Sequence, residues 1–191
     1  MEQENTTIEL DTRLGRRIVD ANRIIEFPRG LVGFEDEHRF VLLQIRPEAP
    51  LLVLQSVQNE HLGLLVADPL LFLDSYTPQI NEAEKSLLQI TDLKDAAILV
   101  TVFIPQGEPA KATLSLTGPI VINHRSCIGV QIPQNDISGP SRICLGDLQK
   151  KQEDTSEEAS LQNDAADQEE SAETAETNYT ENRKKVPLFG R

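Results

Sequence analysis

The sequence predicts an all-β fold: a small antiparallel β-barrel of about eight strands with one short helix, followed by a disordered acidic tail. Three observations predict it. Short β-branched segments recur about every ten to twelve residues between turns that carry Pro or Gly. Aromatic residues are only 4% of the chain, with no Trp, while Val, Ile and Leu are abundant. Such side chains interdigitate on pleated surfaces and do not line an aromatic ligand pocket. Between residues 152 and 182, large apolar residues shrink to Leu161 and Tyr179.

Residues 1–15 are polar and irregular, and are expected to be a flexible N-terminus ahead of a barrel domain over 16–149 and a tail over 150–191. Ile18 to Phe27 is the first extended segment, and it ends where Phe27-Pro28-Arg29-Gly30 imposes a turn. Phe40 to Gln44, Leu51 to Val57 and Gly63 to Ala67 follow as short strands, bounded by Arg46-Pro47, Asn59-Glu60 and Asp68-Pro69. Asn81 to Leu88 changes character: Asn81 can cap exposed N–H groups, Glu82 and Glu84 suit the helix dipole, and Leu87 and Leu88 give an apolar edge. Ala96 to Ile104 is a nearly continuous apolar run rich in β-branched residues, the pattern of a strand buried on both faces. After Pro105, Leu114 and Leu116 alternate with Thr113, Ser115 and Thr117. Gly118-Pro119 then interrupts pairing before Ile120 to Asn123 resumes it. Ile128, Val130 and Ile132 form the last alternating strand, before a loop around Gly139-Pro140.

Charge narrows the class of partner. The chain carries a formal net charge of −13. Residues 152–182 hold 11 acids and no Lys or Arg, and the last nine residues add four bases, so residues 1–151 keep 20 acids against 14 bases. Nucleic-acid binding needs clustered Lys and Arg to displace counterions, and here the bases are scattered, so no direct nucleic-acid binding is expected and a basic protein partner fits better. The tail has too few burial-competent residues to offset ordering entropy, and it closes on Arg183-Lys184-Lys185 and Val186-Pro187-Leu188-Phe189, the composition of a short docking peptide. The N-terminus lacks the basic and apolar regions of a secretory signal. The longest apolar stretch, Leu62 to Leu73, is broken by Asp68-Pro69 and falls short of the roughly 20 residues that span a bilayer. A cytoplasmic protein with no membrane segment is expected.

Catalytic chemistry is not legible. Cys127 and Cys144 lack zinc or redox spacing and read as two buried thiols. His38, His61 and His124 stand in polar, loop-like contexts outside any nucleophilic motif. Glu35-Asp36-Glu37 matches no calcium loop, because adjacent residues cannot all face one ion. Gly30 and Gly33 are followed by Phe34 and acids, which would repel a phosphate. No enzyme activity, metal or cofactor is expected.

One stretch is specific. Phe27-Pro28-Arg29-Gly30-Leu31-Val32-Gly33-Phe34-Glu35 resembles the F-P-x-G-L-x-G-F-E signature of the flagellar assembly factor (FliW) family. The resemblance continues in register through Phe40-Val41-Leu42-Leu43, Leu54-Gln55-Ser56, Val66-Ala67-Asp68-Pro69, Tyr76 and Gly118-Pro119-Ile120-Val121-Ile122-Asn123, and covers residues 17–148. Two departures stand out: family members read N-L-x-A/G-P-I-V-I-N where this chain has Ser115-Leu116-Thr117-Gly118-Pro119, and an aromatic common near Asp136 is Ile137 here.

The resemblance implies a compact β-barrel that binds newly made flagellin in the cytoplasm. Once flagellin is exported, the freed protein would bind the translational regulator CsrA and relieve its repression of flagellin synthesis. A CsrA-like regulator must be basic to hold RNA, which suits an acidic binder. Unassembled flagellin exposes amphipathic ends that an apolar surface could cover. The candidate partner-binding residues are therefore the apolar Leu31, Val32 and Phe34 with the segment Leu70 to Tyr76, together with the acids Glu35, Asp36, Asp68 and Asp74. Each has a competing structural reading: the phenylalanines Phe27, Phe34 and Phe72 as core, the acids as turn chemistry. Two other functions fit the same architecture: a general chaperone for secreted flagellar subunits, and a cofactor-binding split barrel, which would need a basic phosphate-binding cluster.

Overall fold

In the computed structural model, which describes residues 6–47, 49–135 and 139–147, the apolar runs of the described residues become ten strands and the helix Glu82–Leu88, with residues 145–147 also helical. All of these fall in the first of the chain's two units, Met1–Leu148. The expected tail, Asp136 and Ile137 lie outside the described residues. The strands are β1 (Thr7–Leu10), β2 (Arg17–Asp20), β3 (Ile25–Glu26), β4 (Arg39–Gln44), β5 (Leu51–Ser56), β6 (Gly63–Ala67), β7 (Ala96–Phe103), β8 (Thr113–Asn123), β9 (Ile128–Gln131) and β10 (Arg142–Cys144). The helix is α1 (Glu82–Leu88).

Eight strands form one sheet in the order β10-β8-β7-β6-β5-β4-β3-β9, and β9 also pairs with β8. That last pairing closes seven strands into a ring and leaves β10 as an outrigger on β8, so the fold is the barrel expected from sequence. The pairings are antiparallel except for a single parallel bridge, Glu26 opposite Ile128.

Alternation decides which side chains fill the ring, because neighbouring strand residues face opposite ways. Phe40, Leu54, Val66, Leu99, Ile120 and Ile122 join Ile25, Phe27 and Leu31 in one buried cluster. Their neighbours in sequence point outward and are covered in three sectors. The β1–β2 hairpin lays Ile8, Leu10 and Val19 over Val41, Leu43 and Val53. Phe72, Leu73 and Tyr76 pack on Val100, Val102, Leu114 and Leu116. Helix α1 sets Leu87 and Leu88 against Val121 and Val130. Asn81 starts that helix with a full capping box: its side chain accepts from Glu84 N, and the Glu84 side chain accepts from Asn81 N. Asn123, buried on β8, holds the other end by donating to Leu88 O at 2.9 Å.

Four expectations change. Residues 7–10 are not irregular: they pair with β2, Thr7 opposite Asp20, and Leu10 is buried. The first extended segment is broken, because Asp20 caps a 3-10 turn at Ala21–Arg23 that separates β2 from β3. The loop around Gly139-Pro140 leads into β10, whose Ile143 opposes Leu114. The cysteines are free but only half-buried, Cys127 in the left-handed region at φ 53°. The interruption expected at Gly118-Pro119 takes a particular form. Strand β8 runs through it, but the ladder to β7 jumps from Thr101–Ser115 to Leu99–Ile120, so Leu116 to Pro119 bulge out of register.

Candidate protein-binding surface

The surface grows from the turn after β3. Phe27 is fully buried, its ring edge-on to Phe40 with centroids 5.3 Å apart. It fills the space in front of Gly129, where any side chain would collide with the Phe27 ring. Phe27 N donates to His38 O at 2.7 Å, and His38 Nδ1 lies 2.9 Å from Phe27 O, so both backbone groups of Phe27 are bonded. Gly30 N donates back to Phe27 O, and Gly30 adopts φ +63°. A Cβ there would sit 2.5 Å from Glu35 O and 2.6 Å from Phe34 O, so only glycine lets the chain fold over itself.

Beyond Gly30 the chain forms a tip. Leu31 N donates to Phe34 O at 3.2 Å and Phe34 N to Leu31 O at 2.8 Å. Leu31 points into the barrel at 1% exposure, whereas Val32 at 62% and Phe34 at 40% point outward. Leu31, expected on the binding surface, is therefore a packing residue buried in the core cluster. Val32 N donates to Gln131 Oε1 at 2.8 Å, and Gly33 N donates to Glu35 Oε1 at 2.9 Å. The bond from Gly33 holds the Glu35 carboxyl below its ordinary 4.5, although the group is fully exposed.

The acidic run does not act as a block. Glu35 turns back to its own loop, Glu37 accepts from Ser56 Oγ at 2.7 Å on β5, and Asp36 stays exposed. Among the described residues, no group of three or more His, Cys, Asp or Glu side chains could hold a metal ion. Glu37 instead joins Glu9, Asp11 and Glu60 around an open cleft of about 590 Å³ below the β1–β2 hairpin. Arg16 partly neutralises it through Glu9 at 3.6 Å and Asp11 at 3.2 Å.

The second group of candidates lies after β6. Asp68 caps the 3-10 turn Pro69–Leu71 by accepting from Leu70 N at 2.9 Å, which is turn chemistry. Asp74 is exposed. Of Leu70 to Tyr76, Leu71 displays itself at 61% exposure, while Phe72, Leu73 and Tyr76 turn onto β7 and β8. The Tyr76 hydroxyl donates to Leu116 O at 2.8 Å, and burial pushes its phenol up to about 12.

Both groups are tied to the β8 bulge. Tyr76 bonds Leu116 O, Gln131 Nε2 donates to Gly118 O at 3.2 Å, and Gln134 N donates to Thr117 O at 2.7 Å. Gln134 also exchanges bonds with the backbone of Gln79, at 2.8 and 3.0 Å. The glutamines were not among the sequence candidates. One signal could have found Gln131: it shares the strand face of Gly129, opposite the apolar face of Ile128, Val130 and Ile132, so a polar side chain there has to meet something over the barrel end.

Comparison with known proteins bears on this geometry. A protein family described as FliW protein matches residues 9–143. The chain is 58% identical over 146 residues to the flagellar assembly factor FliW of Desulfovibrio desulfuricans, covering 75% of this chain and 87% of that one. It is 52% identical over 138 residues to that of Nitratidesulfovibrio vulgaris, covering 72% and 80%. To that of Bacillus velezensis it is 35% identical over 129 residues, covering 67% and 89%. A crystal structure of the flagellar assembly factor FliW superposes with a TM-score of 0.65 at 28% identity, over 73% of this chain and 96% of that one.

Proposed function

The chain belongs to the FliW family of flagellar assembly factors, and from that premise we propose that it works by binding two proteins in turn. Flagellin is held in the cytoplasm through its apolar ends. When flagellin leaves, the freed protein binds the basic regulator CsrA and lifts its block on flagellin synthesis. The observation that carries this reading is the loop tip, where Val32 and Phe34 are exposed on a backbone already bonded in place, next to exposed Asp36. Exposed apolar side chains on a fixed frame suit an amphipathic segment. The surrounding carboxylates suit a basic partner.

Catalysis has no part in this proposal, and among the described residues no helix is long and apolar enough to cross a membrane. The tested variant is the double change Val32→Asp with Phe34→Asp. Flagellin affinity should fall at least tenfold, as for loss of a central apolar anchor. Titrated against salt, CsrA binding should weaken markedly and flagellin binding little. Mixed together, the three proteins should elute as two separate complexes, because both partners are read as docking on the same loop tip and the carboxylates beside it. A stable ternary complex, or flagellin binding untouched by the double change, would sink the proposal. A general chaperone of flagellar subunits would bind flagellin and leave CsrA alone.

A further inference from the structure

The tip Leu31–Phe34 pairs its two end residues with each other, which leaves the amides of Val32 and Gly33 to be bonded from outside the turn. On an exposed turn, water ordinarily takes such groups. Here two side chains take them, and the two differ in kind. Glu35 reaches Gly33 N from two residues away, so it ties the tip only to itself. Gln131 reaches Val32 N across 99 positions of sequence, from β9, and its other amide atom donates to Gly118 O in the β8 bulge. One side chain thus joins the loop tip to the barrel wall.

We propose that Gln131 is the positioning residue of the binding loop. Its amide holds the tip in the orientation that displays Val32 and Phe34, so a partner meets a surface that is already ordered. The inference rests on the reading that flagellin docks on those two side chains. The residue type follows from the chemistry: a primary amide accepts from one backbone N–H and donates to one backbone C=O at the same time. Glutamate at this place would accept from Val32 but set a negative oxygen against the Gly118 carbonyl. Methionine keeps the length and makes neither bond. Gln131 is half-buried at the barrel rim, so losing its two bonds should free the loop without unfolding the ring.

The test uses the full chain with Gln131→Met and Gln131→Glu, reading amide hydrogen exchange at Val32 and flagellin affinity by calorimetry. In Gln131→Met, Val32 exchange should rise about tenfold relative to the β5 amides, and flagellin affinity should fall about five- to tenfold, the scale of one or two net hydrogen bonds. Gln131→Glu should fall between Met and wild type, because it keeps the acceptor. Unchanged exchange at Val32 overturns the proposal, as does exchange that rises equally across the β5 strand, which would make Gln131 a plain stability residue. If Val32 exchange rises but affinity holds, while Val32→Asp with Phe34→Asp still abolishes binding, positioning by Gln131 is refuted and the docking surface survives. If the double variant binds normally as well, the docking surface fails and the inference fails with it.

Discussion

Replacing Gly30 by Ala should destabilise this protein far more than replacing Gly33 by Ala, although both glycines lie in the same loop at positive φ. The conformational cost is common to both, since an L side chain in the left-handed region costs about 1–2 kcal/mol. Gly33, at φ +83°, has nothing within 4 Å of the position a Cβ would take, so that cost is all it incurs. At Gly30 the same methyl would meet Glu35 O at 2.5 Å and Phe34 O at 2.6 Å, both backbone atoms that cannot swing aside. The 34–35 segment must retreat by about 0.9 Å to reach ordinary contact. Phe34 O accepts from Leu31 N and Glu37 N, so that retreat weakens two bonds of about 1 kcal/mol each. Gly30→Ala should therefore cost about 3–4 kcal/mol and Gly33→Ala about 1–2 kcal/mol. The shared cost cancels and leaves a difference of about 2 kcal/mol, which for a domain of this size, at roughly 3–5 °C per kcal/mol, separates the two thermal midpoints by roughly 6–10 °C. Circular-dichroism melts of both variants give the comparison, and amide exchange at Phe34 and Glu37 shows whether the loop opens ahead of the barrel. Equal midpoints, with Phe34 and Glu37 equally protected in both, would refute the steric argument and with it the account of why the chain turns at Gly30.

Tyr76→Phe removes the hydroxyl that donates to Leu116 O and should cost about 1 kcal/mol near neutral pH, read from urea midpoints. Burial raises this phenol to about 12, so folding favours the protonated form: its contribution is whole below the ordinary 10 and is lost as pH climbs from 10 towards 12. The wild type should accordingly lose stability over that window and Tyr76→Phe should lose less, and parallel pH profiles would remove Tyr76 as the titrating group. Truncation after Lys151 should move the thermal midpoint by no more than a few degrees, because residues 152–182 offer only Leu161 and Tyr179 as large apolar side chains for a core. A larger drop would place part of the stability in the removed segment.

What was legible in the sequence follows a physical line. Strands whose partners are close in the chain, and whose apolar residues run unbroken or alternate, were read nearly to the residue: Gly63 to Ala67 as β6, Ala96 to Ile104 as β7, and Asn81 as the cap of α1. β1 and β10 were missed because each is only three or four residues long: β10 makes sense only beside the distant β8, and β1, although paired with nearby β2, shows its apolar residues a purpose only as a cover over Val41 and Val53. Binding residues fared worse, because sequence does not say which way a side chain turns. Leu31 and Val32 are neighbours of similar character, yet one is sealed in the core and the other is the most exposed apolar residue of its loop. The clamp at Gln131 was legible only as a polar residue on the face opposite Ile128, Val130 and Ile132, since its partner Val32 is brought to it only by closure of the ring.

The same distinction sorts the candidate acids Glu35, Asp36 and Asp68, and Glu37 beside them. Their fields act over a Debye length of about 8 Å whatever their bonds, so each can speed the approach of a basic partner. Their carboxylates differ in what else they hold. Glu35 bonds Gly33 N in the tip, Asp68 bonds Leu70 N in a 3-10 turn, and Glu37 takes the Ser56 hydroxyl on β5. Reversing the charge at any of these changes a backbone or strand contact along with the field, and a lost partner would not reveal which change mattered. Asp36 stands exposed between Glu35 and Glu37 and lies at the tip's own base. Charge reversal there alters the field at the binding loop with the least disturbance to its geometry. An effect of Asp36→Lys confined to a salt-sensitive association rate would therefore report electrostatic attraction itself, whereas the same loss in Glu35→Lys could equally come from a tip that no longer presents Val32 and Phe34.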